Sequence, residues 1–234
     1  MIRTIAGVKV AQYFYPMPEG FADAAIAYSI EICKKPNVFH DMMKQKVGHK
    51  VSVDLISNSP NATLWNVDDN DKRLFQLPLF KDFLSFLKPH MLNYIKELEI
   101  DEKDVNVVGM WAVHYKPKQF VARHNHFYSD CAKRQDGTFI ERIPHKSSNQ
   151  NDMISILLYL NKPIASGNLF IEMPDGDAHE FDLKAGDVIM FPSYSLMHWT
   201  SPNESDEDKF VIVLDLAMKW VTDETMVGIT LGDL

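Results

Sequence analysis

A chain of 234 residues with 46% hydrophobic content is long enough to bury a full core as one large domain. Its net charge of −8 and isoelectric point near 5.5 argue against duplex nucleic acid or an anionic membrane as the main partner, leaving a small molecule, peptide or protein. The opening stretch "MIRTIAGVKVAQYFYPMPEG" lacks the apolar core and cleavage site of a signal peptide, and no run reaches the length of a membrane span, so a cytoplasmic protein is expected.

In chain order, "EGFADAAIAYSIEICKK" carries Phe21, Ala24, Ala25, Tyr28 and Ile32 near helical spacing and stops before Pro36, which predicts one amphipathic helix. Residues 60–71, "PNATLWNVDDND", read as an acidic, turn-rich surface connection. "LPLFKDFLSFLKPHMLNYIKELEI" predicts a longer helix with a kink or break at Pro89. The part from 1 to 104 is therefore expected to be mainly helix and loop. Cys33 and Cys131 suggest free thiols rather than a disulfide framework, and the sequons at Asn61 and Asn203 match too permissive a pattern to carry weight.

From Val105 the pattern changes to short runs rich in Val, Ile, Leu, Phe and Tyr, broken by Gly, Pro, Asn and Asp. The runs are "VNVVGMWAVHY", "QFVARHNH", "MISILLYLN", "NLFIEM", "AHEFDL", "DVIMFPS" and "KFVIVLDLAMKW", with "PDGD" a hairpin turn between the fourth and fifth. Strands without intervening helices predict a sandwich or barrel, and no repeat or linker divides the chain. The expected organisation is one domain, with a mainly helical part at 1–104, a β-rich core at 105–220 and a tail at 221–234.

Two residues apart on a strand, His124 and His126 would share a face with Phe120 and Ala122. Two ligands do not make a catalytic metal site, which usually has at least three from protein. His198 is the distant candidate, because it closes "AGDVIMFPSYSLMHWTSPN", where an apolar strand ends at Pro192 and a short loop returns to a histidine.

These segments together, over roughly residues 105–220, resemble the Fe(II)- and 2-oxoglutarate-dependent oxygenases, and the FPS...H...PN signature is similar to one group within them. The resemblance implies an α+β protein: a double-stranded β-helix (a jelly-roll, cupin-like fold) with N-terminal helices packed against it. It implies Fe(II) as cofactor and 2-oxoglutarate as cosubstrate, and a hydroxylase that couples decarboxylation of the keto acid to oxidation of a substrate. Position by position, His124 and His198 would be iron-binding histidines, while His126 falls where the superfamily usually has its carboxylate. Three neutral imidazoles would leave the metal its whole +2 charge, so either the dianionic cosubstrate completes neutrality or Asp130 supplies a carboxylate instead. Lys209 falls where the family places the cation for the distal carboxylate, and Tyr115 would be its hydroxyl neighbour.

Two competing functions remain open at this point. A cupin-type three-histidine dioxygenase would use no keto acid, and a non-catalytic jelly-roll would only bind a ligand; neither gives Lys209 and Tyr115 a task. His114, His40, His49, His90, His145 and His179 read as structural, and Trp111 and Trp199 as packing residues. The polar stretch 127–152, with Lys133, Arg134, Arg142 and Lys146, is expected to be a substrate-facing lid favouring an anionic or polar substrate. A homo-oligomer is compatible with the sequence.

Overall fold

A computed structural model describes residues 1–33, 78–121, 123–125, 152–218 and 231, and the strand backbone at 61–66, 128–129, 143–144 and 229–230. In chain order the elements are β1 (Ile2–Ile5), β2 (Val8–Phe14), α1 (Phe21–Cys33), β3 (Asn61–Asn66), α2 (Pro78–Glu97), β4 (Val105–Tyr115), β5 (Tyr128–Ser129), β6 (Ile143–Pro144), β7 (Asp152–Tyr159), β8 (Leu169–Glu172), β9 (Ala178–Phe181), β10 (Asp187–Phe191), β11 (His198–Thr200), β12 (Lys209–Met218) and β13 (Ile229–Thr230). One large antiparallel sheet runs β1-β2-β10-β7-β12-β4-β13, with β3 also on β4, and a smaller one runs β11-β8-β9.

Alternation along the strands builds two cores. On β12, Phe210, Ile212, Leu214 and Leu216 join the core shared with α1 and α2, whereas Val211 joins a second core with Leu169, Ile171 and Phe181 of the smaller sheet. The second core lies between the two sheets. This is the expected jelly-roll with helices packed on its outer face. The "PDGD" turn closes the β8–β9 hairpin, with Gly176 at φ 88° and its N–H donated to the Met173 carbonyl.

Several expectations need correction. The part from 1 to 104 is not only helix and loop, because β1 and β2 extend the large sheet beyond β10 and β3 pairs with β4. Residues Asn61–Asn66, read as a surface connection, are that third strand. Ile229–Thr230, in the expected tail, also pair with β4. The helix α2 continues through Pro89 instead of breaking there. A proline inside a helix costs about 3 kcal/mol, but Phe80, Phe83, Leu84 and Leu87 before it and Met91, Tyr94 and Ile95 after it are all buried. Each contributes about 1.5–3 kcal/mol, which outweighs the break.

The "QFVARHNH" run is not a full strand among the described residues; it touches its neighbour through an isolated bridge at His124. Of the expected lid, only an antiparallel pairing of β5 with β6 is described, Tyr128 opposite Pro144 and Ser129 opposite Ile143. Cys131, Lys133, Arg134, Arg142 and Lys146 lie outside the described residues. Among the described residues no helix is long and apolar enough to cross a membrane.

Candidate active site

The turn after β10 returns the chain so that His198 opens β11 opposite Ile171 on β8. On its other side the His198 backbone exchanges both hydrogen bonds with His124, at 2.7 and 3.0 Å. Directly opposed residues in an antiparallel bridge send their side chains to one face. The two imidazoles accordingly lie with ring centroids 4.3 Å apart. His198 is buried and rests edge-on against Phe191 at 5.0 Å. Its Nδ1 lies 3.0 Å from the Leu196 carbonyl, an obligate acceptor, so Nδ1 carries the proton and Nε2 presents the lone pair. A backbone carbonyl in that role is the usual way a protein fixes a ligating histidine's tautomer. Beside His124, Arg123 donates from Nε and Nη2 to Glu172 Oε2 at 3.0 and 2.6 Å, clamping this segment to β8.

His126 and Asp130 lie outside the described residues, and among the described ones no group of three His, Cys, Asp or Glu is placed to hold a metal. The histidine pair alone is a partial ligand set.

The other end of the inter-sheet interior is built by register. Lys209 starts β12 opposite Tyr115 on β4, and Val211 faces Tyr159 on β7. Lys209 is fully buried, a position lysine almost never takes unless paired. Among the described residues no carboxylate pairs with it; Nζ donates to the Gly167 carbonyl at 3.2 Å and lies 4.2 Å from the Tyr115 ring centroid and 5.8 Å from that of Tyr159. Burial first, and the neighbouring Lys162 ammonium second, lower its pKa to about 7. The strap that offers the Gly167 carbonyl is tight, because at φ 78° a Cβ there would sit 2.2 Å from the Ser201 carbonyl oxygen.

The two tyrosines differ. Tyr115 turns its ring face to the lysine, and its hydroxyl lies near that of Thr200. The Tyr159 hydroxyl is buried without a hydrogen-bond partner. Burial and then the neighbouring Tyr115 hold its pKa well above the ordinary range, so it stays a donor. Sequence reasoning missed Tyr159 because it sits inside the apolar run "MISILLYLN", where an aromatic residue reads as core. A buried ammonium and an orphaned phenol together are what a carboxylate requires. His114 faces the helix-side core, its Nε2 2.6 Å from Asp208 and its ring stacked on Phe210, in keeping with a structural role. Asn203 is fully buried and donates its amide hydrogens to the carbonyls of Tyr115 and Glu207, so it clips the loop after β11 to β4 and presents no surface sequon.

No protein-family model matches the sequence, and no curated protein matches it. Solved structures do. A prolyl-4-hydroxylase of Pseudomonas putida aligns over 89% of this chain and 92% of its own at 16% identity, TM-score 0.56. A prolyl hydroxylase of Trichoplax adhaerens, in complex with a hypoxia-inducible-factor oxygen degradation domain peptide, aligns over 92% and 87% at 11% identity, TM-score 0.55. HygX of Streptomyces hygroscopicus, with nickel and 2-oxoglutarate bound, aligns over 91% and 84% at 10% identity, TM-score 0.51. At such identities the likeness establishes architecture, and the chain has the jelly-roll fold of the 2-oxoglutarate- and Fe(II)-dependent oxygenases.

Proposed function

We propose that this protein is a 2-oxoglutarate-dependent Fe(II) oxygenase that hydroxylates a small molecule or peptide. The observation that carries the reading is Lys209: a buried cation with no carboxylate paired to it among the described residues, near the ring of Tyr159 whose hydroxyl lacks a partner, and in the same interior as the His124–His198 pair. A cupin-type dioxygenase or a non-catalytic jelly-roll gains nothing from that arrangement. The solved relatives of this fold include one holding 2-oxoglutarate and one holding a peptide.

His124 and His198 would hold the iron with His126, and the chemistry of the pair fits a divalent metal because a neutral imidazole nitrogen is presented at His198. Iron and 2-oxoglutarate, when bound, supply the oxidising power: O2 is consumed, the keto acid leaves as succinate and CO2, and one oxygen atom goes to the substrate. The protein's part is placement. Lys209 Nζ would leave the Gly167 carbonyl and, with Tyr159, donate to the distal carboxylate, while the Tyr115 ring beneath steadies the ammonium. In this reading Tyr115 contributes through its face, and Tyr159 takes the donor role that the resemblance gave to Tyr115. Val211, Leu157 and Phe191 line the interior and exclude water.

An anaerobic titration of the Fe(II)-loaded protein with 2-oxoglutarate tests this. Saturable binding that needs the metal is expected, and His198→Ala should lose metal and cosubstrate together. Metal-independent binding, or none, would overturn the reading.

A further inference from the structure

The segment that carries His124 is held differently from the strand it faces. His124 and His198 exchange both backbone hydrogen bonds, and a regular antiparallel ladder would advance from there by two residues on each side. Instead the Thr200 N–H donates to the Val121 carbonyl at 3.0 Å, and the Val121 N–H donates to Thr200 Oγ1 at 2.8 Å. The step from His198 to Thr200 is thus answered by a longer one, from His124 back to Val121. That is a bulge, with a bend at Arg123, and a bulge re-aims a side chain at the cost of ladder hydrogen bonds.

Arg123 reaches from this bulge past β11. Its Nε and Nη2 donate to Glu172 Oε2 at 3.0 and 2.6 Å. Glu172 lies on β8, the next strand in, and its own N–H donates to the Met197 carbonyl just before His198, at 2.8 Å. On β8, Leu169 and Ile171 enter the inter-sheet core, so alternation turns Glu172 to the opposite face. The ion pair therefore sits behind the histidine pair, away from the interior where metal and substrate would bind.

Magnitude decides what such a pair can do. The two side chains are 34% and 29% exposed, and an ion pair at that exposure adds little to folding stability. Orientation is another matter, because two donors converging on one oxygen fix the guanidinium in direction as well as distance. His198 is set inside the smaller sheet, with β8 on one side and the His124 segment on the other. His124 lies on the edge segment, at the end of the bulge, one residue from the staple.

We infer that Arg123 and Glu172 are positioning residues for the metal: by stapling the bulged segment across β11 to β8, they hold His124 at the spacing from His198 that a shared ion requires. This rests on the oxygenase reading, in which both histidines are ligands. Staple and charge predict different signs. Acting through charge alone, loss of the Arg123 cation would tighten a divalent metal and loss of the Glu172 anion would loosen it. A staple is lost either way, so both changes weaken binding.

The test is a Co(II) titration of the full chain, with Co(II) standing for Fe(II) and its visible d–d absorbance as the readout. Arg123→Met, which keeps the apolar stem, and Glu172→Ala should each weaken Co(II) binding by about tenfold or more and shift the absorption bands. The double variant should bind no more than about twofold more weakly than the poorer single one, since one staple cannot be lost twice. Glu172→Gln retains an acceptor oxygen and should fall between the parent and Glu172→Ala; it also serves should Glu172→Ala not fold. Denaturation midpoints of the metal-free variants should match that of the parent. Opposite signs for the two residues, affinities within about twofold of the parent, or losses that multiply in the double variant would overturn the inference. So would weaker binding that appears only with a lowered midpoint, which marks a structural role. A parent protein that binds no Co(II) overturns the oxygenase reading and this inference with it, whereas normal parental binding with unaffected variants overturns the staple alone.

Discussion

Lys209 concentrates the energetics of this protein in one side chain. Desolvation, reinforced by Lys162, lowers its pKa to about 7, so in the cosubstrate-free protein it releases its proton far below the 10.5 of a free lysine. The unfolded chain then binds more protons than the folded one between those two values. Stability from this group should therefore rise with pH from about 7 to 10.5, the reverse of a paired lysine. Chemical denaturation across that window checks it, and Lys209→Met should flatten the slope. For ligand binding the sign is opposite. A carboxylate needs the ammonium, so above pH 7 binding takes up a proton and affinity should fall by about tenfold per pH unit at first. Calorimetry in two buffers of different ionisation enthalpy reads that uptake directly. Lys209→Ala should cost about 3–5 kcal/mol of 2-oxoglutarate binding, and Tyr159→Phe about 1–3 kcal/mol because a carboxylate oxygen loses its donor. Tyr115→Phe, which keeps the ring face, should cost less than Tyr159→Phe. The opposite ranking of the tyrosines would mean that Tyr115 is the donor.

The same physics sets how the elements hold. In α2, exposed Pro89 forfeits the hydrogen bond to the Ser85 carbonyl while buried residues on both sides keep the helix whole. Pro89→Ala should raise stability by about 1–3 kcal/mol in a denaturant titration, since helix propensity returns at a position where the ring faces solvent. A drop in stability would show that the proline packs. The strands most legible in the sequence were those that alternate cleanly, β4 and β12, and the hairpin whose turn is written "PDGD". β1 and β2 were not legible. Their turn is Ala6-Gly7, with φ of 46° and 82°, and an alanine in the left-handed region is not a turn signal. "NATLWN" was hidden by acidic turn residues after it, yet it pairs with β4 over five positions because β4 is long enough to hold partners on both edges. Pairing of distant segments is decided by the partner, which local pattern does not carry.

At the scale of the whole molecule, the jelly-roll gathers on its inter-sheet side residues scattered over more than ninety positions of sequence: Tyr115, His124, Tyr159, His198 and Lys209. Alternation and the loop before it singled out His124 and His198, and resemblance singled out Lys209, because those residue types are rare on apolar strands and stand out. Tyr159 emerged only from burial and register, since in sequence it looks like core. The central claim is that this interior joins a metal to a keto acid. It is tested most directly by admitting O2 to the anaerobic Fe(II) and 2-oxoglutarate complex and quantifying succinate. Succinate should form only with both iron and O2 present, slowly without substrate, and should be abolished in His198→Ala and strongly reduced in Lys209→Ala. Tight metal binding with no succinate under any of these conditions would contradict the claim and leave a jelly-roll that binds without turning over.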